Sequence, residues 1–104
     1  MWYDIVMAPE GVDDLDNLKA NVRAAVFDAI ERYLRYEPAR ESRSRIKRLR
    51  GLSRPQYRLR VGDDIRVFYD VTEARVEVLA IVSKSEVNAW LAKYGETDET
   101  GNSV

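Results

Sequence analysis

Apolar residues recur along this chain with two periods, and the change from one to the other predicts its elements. Residues 2–8 crowd together aromatic and β-branched side chains (Trp2, Tyr3, Ile5, Val6), as a strand does, and Pro9-Glu10-Gly11 breaks the run. Val12, Leu15 and Leu18 then recur at helical spacing. Asp13, Asp14 and Asp16 lie near the end where the helix dipole favours negative charge. In the next segment Val22, Ala25, Val26, Ala29, Ile30, Tyr33 and Leu34 form one stripe, with Arg23, Asp28, Glu31, Arg32 and Arg35 off it, until Pro38 stops the helix. The short link around residues 19–21 predicts that the two helices pack as an antiparallel pair.

After Pro55 the period drops to two. Tyr57, Leu59 and Val61 face one way and Arg58 and Arg60 the other. Gly62-Asp63-Asp64 signals a turn. Ile65, Val67, Tyr69 and Val71 continue the apolar face, leaving Arg66, Phe68 and Asp70 opposite. A second turn at residues 72–74 leads into residues 75–82, whose later half is apolar on both faces and reads as a central strand. Ser83 and Glu86 have the spacing of a capping box. Val87, Trp90, Leu91 and Tyr94 then make the stripe of a short last helix, which Gly95 can end. Residues 39–54 are basic and serine-containing with no clear period; Ile46, Leu49 and Leu52 are their only anchors. The order is β-α-α-β-β-β-α, an α+β domain over residues 1–95, with a polar tail over 96–104 expected to be disordered.

The turn at Gly62 constrains what lies beside what. Both apolar faces fall on odd-numbered residues, so paired positions must sum to an even number. Pairing about residue 63 sets Val61 against Ile65 and Arg60 against Arg66. A slip by one residue would turn an apolar set outward. Arg58 lies one step along the same face. Like charges directly opposite each other on a sheet repel by a few tenths to about 1 kcal/mol. Such a cluster makes sense if a phosphate, or an acidic partner peptide, supplies the counter-charge.

Composition narrows the chemistry. The 104 residues contain no cysteine and no histidine. Disulfides, thiolate nucleophiles, imidazole general bases and nearly all zinc sites are thereby excluded. Acid–base work is left to Lys, Asp, Glu or Tyr. The first residues lack the layout of a signal peptide, and no apolar run approaches a bilayer span, so a cytoplasmic protein without a membrane partner is expected. The net charge is only -1, yet ten of the 17 basic residues lie between Arg40 and Arg66, nine of them arginine, against Glu41, Asp63 and Asp64. That is a focused basic patch suited to phosphate.

Other candidates carry two readings each. Arg40, Arg43 and Arg45 form a solvated charge run or an anion contact. Phe68 shares the arginine face and either stacks on an exposed base or covers the third helix. Lys84 beside Ser85 either binds an anion at a helix start or belongs to a solvated turn. Tyr33, Tyr57, Tyr69 and Trp90 lie on apolar stripes and read as core.

Four stretches carry a resemblance: Lys47-Arg48-Leu49-Arg50-Gly51, Tyr57-Arg58-Leu59-Arg60-Val61-Gly62-Asp63, Arg66-Val67-Phe68-Tyr69-Asp70-Val71, and Val78-Leu79-Ala80-Ile81-Val82. Together they resemble the RelE/ParE superfamily of toxins from type II toxin–antitoxin systems. The likeness extends over residues 2–91, Pro9-Glu10 and Asp14-Leu15 included. It implies an antiparallel sheet packed against a helix pair, with a short C-terminal helix and the function on the sheet's open face. RelE-like members cleave mRNA in the ribosome without a metal or other cofactor, using the RNA 2′-hydroxyl as nucleophile. ParE-like members inhibit DNA gyrase. Both kinds bind a cognate antitoxin.

By this resemblance the two family lysines of the first hairpin strand fall at Arg58 and Arg60, and the family arginine of the next strand at Arg66. Lys47, Arg48, Arg50 and Phe68 would contact RNA. The segment where active ribonucleases carry an Arg or His followed by Tyr reads Ser83-Lys84-Ser85-Glu86-Val87 here. Arginine cannot readily act as a base, so Lys84, or Glu86 if it leaves its cap, is the remaining titratable group. A metal-independent mRNA endonuclease is the reading expected first. The alternatives are a gyrase-binding toxin without nuclease activity, and a catalytically weak interaction protein whose arginines receive an acidic antitoxin segment.

Overall fold

A computed structural model describes residues 2–98. Strand β1 (Asp4–Met7) leads through Ala8 into helix α1 (Pro9–Asp16), where proline occupies the first turn and its missing N–H costs nothing. Helix α2 (Ala20–Ala29) ends in a π-helical turn, Ile30–Leu34. Strands β2 (Ile46–Arg48), β3 (Leu52–Arg54), β4 (Tyr57–Val61), β5 (Ile65–Val71) and β6 (Arg75–Ser83) follow, then a 3₁₀ turn (Lys84–Glu86), helix α3 (Val87–Tyr94) and strand β7 (Glu96–Thr97).

Five strands form one sheet in the order β1-β6-β5-β4-β2. The pairs among β2, β4, β5 and β6 are antiparallel, and β1 adds to β6 in parallel. The α+β class expected from the sequence is what the chain adopts, and the sheet is mixed rather than wholly antiparallel. β1 and β6 are far apart in sequence, and the intervening elements provide the long crossover that a parallel pair requires. Where β1 ends, α1 runs alongside β6, and the Asp14 carboxylate accepts a hydrogen bond from the amide of Ile81 (2.9 Å). A strand N–H that has lost its neighbour is thereby satisfied.

One face of the sheet is the core. Leu59, Val67, Tyr69, Val76, Val78 and Ile81 pack there against Val26, Ile30 and Leu34 of the second helix, the stripe that the helical period predicts. Tyr69 is fully buried. Its hydroxyl donates to the carbonyl of Pro38 (2.7 Å) and its ring stacks on Tyr57. Burial pushes its phenol far above the ordinary value, so it stays a neutral donor.

Three elements were not expected. β2 and β3 arise from residues 39–54, which have no clear period. β7 arises from residues placed in the disordered tail. It pairs with β3, and the Ser53 hydroxyl donates to the carbonyls of Glu96 (3.3 Å) and Thr97 (3.4 Å). The rest of that tail, residues 99–104, lies outside the described residues. Strands of two or three residues are too short to show a period, and only their partners define them.

The capping box is also different. Ser83 is still part of β6, opposite Ile65, and the amide of Lys84 donates to the carbonyl of Asp64 (2.6 Å). The Ser83 hydroxyl therefore reaches Ser85 (3.2 Å) and Glu86 (3.4 Å) rather than a helix amide.

Candidate nucleic-acid interface

The hairpin between β4 and β5 has the register derived from parity: Tyr57 lies opposite Tyr69, Arg58 opposite Phe68, Arg60 opposite Arg66 and Val61 opposite Ile65. Gly62 makes it possible. Its φ of 61° lies in the left-handed region, which other residues rarely adopt. β2 extends the same face, because Lys47 pairs with Arg58. The non-core face of the sheet thus carries Lys47, Arg58, Arg60 and Arg66 side by side.

The three arginines differ in how they are held. Arg66 is only 6% exposed, and its guanidinium donates to the carbonyls of Asp63 (3.2 Å) and Ile65 (3.0 Å). Arg60 donates to the carbonyl of Gly62 (3.0 Å) and to the Asp63 carboxylate (2.7 Å). The side chain of Arg58, half-buried, makes no hydrogen bond or ion pair among the described residues. Burial, and then the charges of Arg66 and Arg60, push its guanidinium below the ordinary value. It nevertheless stays charged at physiological pH. Arg58 is therefore a partly desolvated cation, repelled by its neighbours and unpaired among the described residues.

The Asp63 carboxylate acts as a clasp on Arg60, but it is 98% exposed. Exposed ion pairs contribute only about 0–1 kcal/mol, so an incoming phosphate can displace it. Asp63→Asn should raise affinity for short RNA severalfold at low salt without lowering the melting temperature by more than a few degrees. An unchanged dissociation constant in a fluorescence titration would show that the clasp does not restrain Arg60. Reading the sequence only as a turn signal missed this role of Asp63; its position three residues after Arg60 was the available clue.

The remaining predicted residues scatter. Phe68 is fully buried and stacks on Trp90 of α3 (centroids 4.9 Å apart, planes 21°), so of its two readings the structure supports the helix cover and leaves no free face for a base. Arg48 shares its face with Tyr57. It lies over that ring (5.2 Å) and donates to the carbonyl of Gln56 (2.9 Å), on the side away from Arg58. Arg50 is exposed in the turn before Gly51, off the sheet. Lys84 is exposed just beyond Val82, which pairs with Arg66, and its amide is held by Asp64, so its backbone sits at the hairpin end of the basic face.

The other end of the face is acidic. Asp70 lies opposite Glu77 and accepts from the amide of Gln56 (2.8 Å), with Arg54 near it (3.5 Å) and near Glu77 (3.4 Å). Burial pushes the Asp70 carboxyl up against those favourable bonds. Helix α3, seated on Phe68, covers the middle of this face between its basic and acidic ends. Among the described residues no group of carboxylates is arranged to hold a metal ion, and no helix is long and apolar enough to cross a membrane.

This architecture recurs in solved structures. The archaeal RelE of a RelE–RelB complex from Pyrococcus horikoshii superposes with a TM-score of 0.65, at 24% identity over 81% of this chain and 97% of that one. A free RelE double mutant from E. coli gives a TM-score of 0.70 at 20% identity, over 89% and 97% of the two chains. This is a RelE/ParE-like toxin fold. A YoeB/ParE toxin from Agrobacterium tumefaciens shares it too, with a TM-score of 0.62 at 21% identity over 77% and 97%. No protein-family profile matches the chain, and no curated protein matches its sequence. In the RelE/ParE-like frame, the basic face is the non-core side of the sheet, opposite the helix pair.

Proposed function

We propose that this chain is the toxin of a type II toxin–antitoxin pair, a cytoplasmic endoribonuclease that cuts mRNA at the ribosome. The observation carrying this reading is Arg58: a half-buried cation without an internal partner, between Lys47 and the Arg60/Arg66 pair. Arg58, with Arg60 once Asp63 releases it, can hold the two non-bridging oxygens of a phosphodiester, and the nearby charge of Arg66 helps stabilise the extra charge as the phosphorus becomes five-coordinate. In that step the RNA 2′-oxygen bonds to the adjacent phosphorus, the bond to the 5′-oxygen breaks, and a cyclic phosphate and a free 5′-hydroxyl result. Lys84, whose backbone lies at the hairpin end of this face, carries an ammonium suited to protonating the leaving oxygen if it reaches the phosphate. The RelE structures solved with RelB support a cognate antitoxin as partner.

The chain has no imidazole, and on this reading solvent hydroxide, rather than Lys84 or Glu86, takes the 2′-hydroxyl proton. Cleavage should therefore accelerate by roughly tenfold per pH unit through neutrality. A bell-shaped profile centred near neutral pH would instead reveal a side-chain base and reject this assignment. The deciding experiment adds purified protein to a reconstituted translation system and maps the 5′ ends of the mRNA fragments. Intact mRNA at excess toxin rejects the nuclease reading.

A second reading has its own support. Ser83-Lys84-Ser85-Glu86-Val87 lacks the Arg or His followed by Tyr of the active ribonucleases. A toxin of this fold without nuclease chemistry would act by binding, with DNA gyrase as the target. A supercoiling assay run in parallel distinguishes the two, since inhibition with intact mRNA supports the gyrase reading.

A further inference from the structure

A cavity of about 540 Å³ lies away from the basic face of the sheet, between the π-helical end of α2 and the segment entering β2. Arg32, Tyr33, Tyr36, Arg40 and Arg45 line it. The volume lies within the range of about 300–1,000 Å³ usual for small-ligand sites. Arg40 is neutralised by Glu37 (2.8 Å). Arg32 and Arg45 have no carboxylate partner among the described residues; both lie against the Tyr33 ring, at 5.7 and 5.2 Å from its centroid. Tyr36 presents its ring to solvent, 60% exposed. The π-helical turn that carries Arg32 and Tyr33 is a rare distortion, frequent at functional sites.

We infer that this cavity is a second RNA subsite, holding the phosphate of a single-stranded nucleotide between Arg32 and Arg45 and stacking its base on Tyr36. The inference rests on the reading of the chain as an RNA-acting toxin and extends that site. Two paired cations beside an exposed ring are the elements of sequence-tolerant single-strand binding. An acidic peptide fits less well, because the only aliphatic side chain in the wall, Ile46, is already buried in the core and leaves no apolar anchor. The two sites are joined. The amide of Arg60 donates to the carbonyl of Arg45 (2.8 Å), so the edge segment that feeds β2 links the cavity to the arginine face. An RNA strand crossing that edge would engage both. The run Arg40, Arg43, Arg45, ambiguous in sequence, then acquires a role through Arg45.

Fluorescence anisotropy with labelled single-stranded RNA tests this on the full chain, using a trinucleotide and an oligonucleotide of about ten nucleotides. Arg32→Gln combined with Arg45→Gln should weaken binding of the longer RNA by about tenfold and flatten its salt dependence. Tyr36→Leu should weaken it severalfold while Tyr36→Phe does not. Thermal melting confirms that these exposed-site variants fold, and RNA carrying 4-thiouridine should crosslink to Tyr36 in the unaltered protein. If the cavity variants bind the longer RNA as the parent does while Arg58→Met is weakened, the subsite is rejected and the RNA-acting reading stands. If the parent itself fails to bind, or Arg58→Met is also without effect, both fall. Loss of polyglutamate binding with RNA binding intact would assign the cavity to an acidic protein segment and overturn the inference.

Discussion

Arg58→Met should leave the protein as stable as before, or more stable by up to about 1 kcal/mol, while lowering mRNA cleavage by roughly 10²–10³-fold. Opposite signs for stability and activity are the expected mark of a residue held for a ligand. Methionine keeps the length and much of the apolar stem of arginine and removes only the charge. What disappears is the repulsion from Arg60 and Arg66 and the cost of partly burying a cation, with no internal bond lost. What function loses is one of the donors aimed at the phosphate. Arg66 gives a less clean test, because its guanidinium satisfies the carbonyls of Asp63 and Ile65. Removing it should cost about 1–3 kcal/mol by stranding those groups. Urea unfolding and ribosome-dependent cleavage, measured on the same Arg58→Met preparation, decide the matter. A large loss of stability would mean that Arg58 is structural, and unimpaired cleavage would remove it from the site.

Phe68→Ala should be the most damaging single truncation on the non-core face, costing about 3–5 kcal/mol. Phe68 is fully buried although it sits on the face that carries the arginines, and Trp90 of α3 stacks on its ring. No residue of α3 is itself fully buried, so the helix depends on this contact and on the β3–β7 ribbon just beyond it. The truncation removes the aromatic pair and leaves a cavity between helix and sheet. In a Trp2→Phe background, Trp90 is the only tryptophan. Its emission in Phe68→Ala should shift toward that of a solvated indole before the main unfolding transition. Coincident transitions would show that α3 and the sheet unfold as one unit. A loss of stability below about 1 kcal/mol would contradict the packing described for Phe68.

Much of the fold is legible along the chain because burial imposes period. The stripe ending at Leu34 and the alternation from Tyr57 to Val71 each report a face that must meet the core, and parity together with a turn centred on residue 63 set Arg60 against Arg66. The absence of histidine and cysteine limits the available chemistry from the sequence alone. Periodicity carries no information about partners, however, and partners decided the rest. Lys47 joined Arg58 because a three-residue strand found the free edge of β4, whereas Arg48, its neighbour, turned to the other face to lie on Tyr57. Phe68 shared the arginine face in sequence and became core only because α3 folded back onto it. Ser83 had the spacing of a cap and stayed in the sheet because the Asp64 carbonyl held the next amide. The charge of each arginine was written in the sequence. Which of them found an internal oxygen, and which were left to find a counter-charge in a ligand, depended on through-space neighbours that only the folded chain assembles.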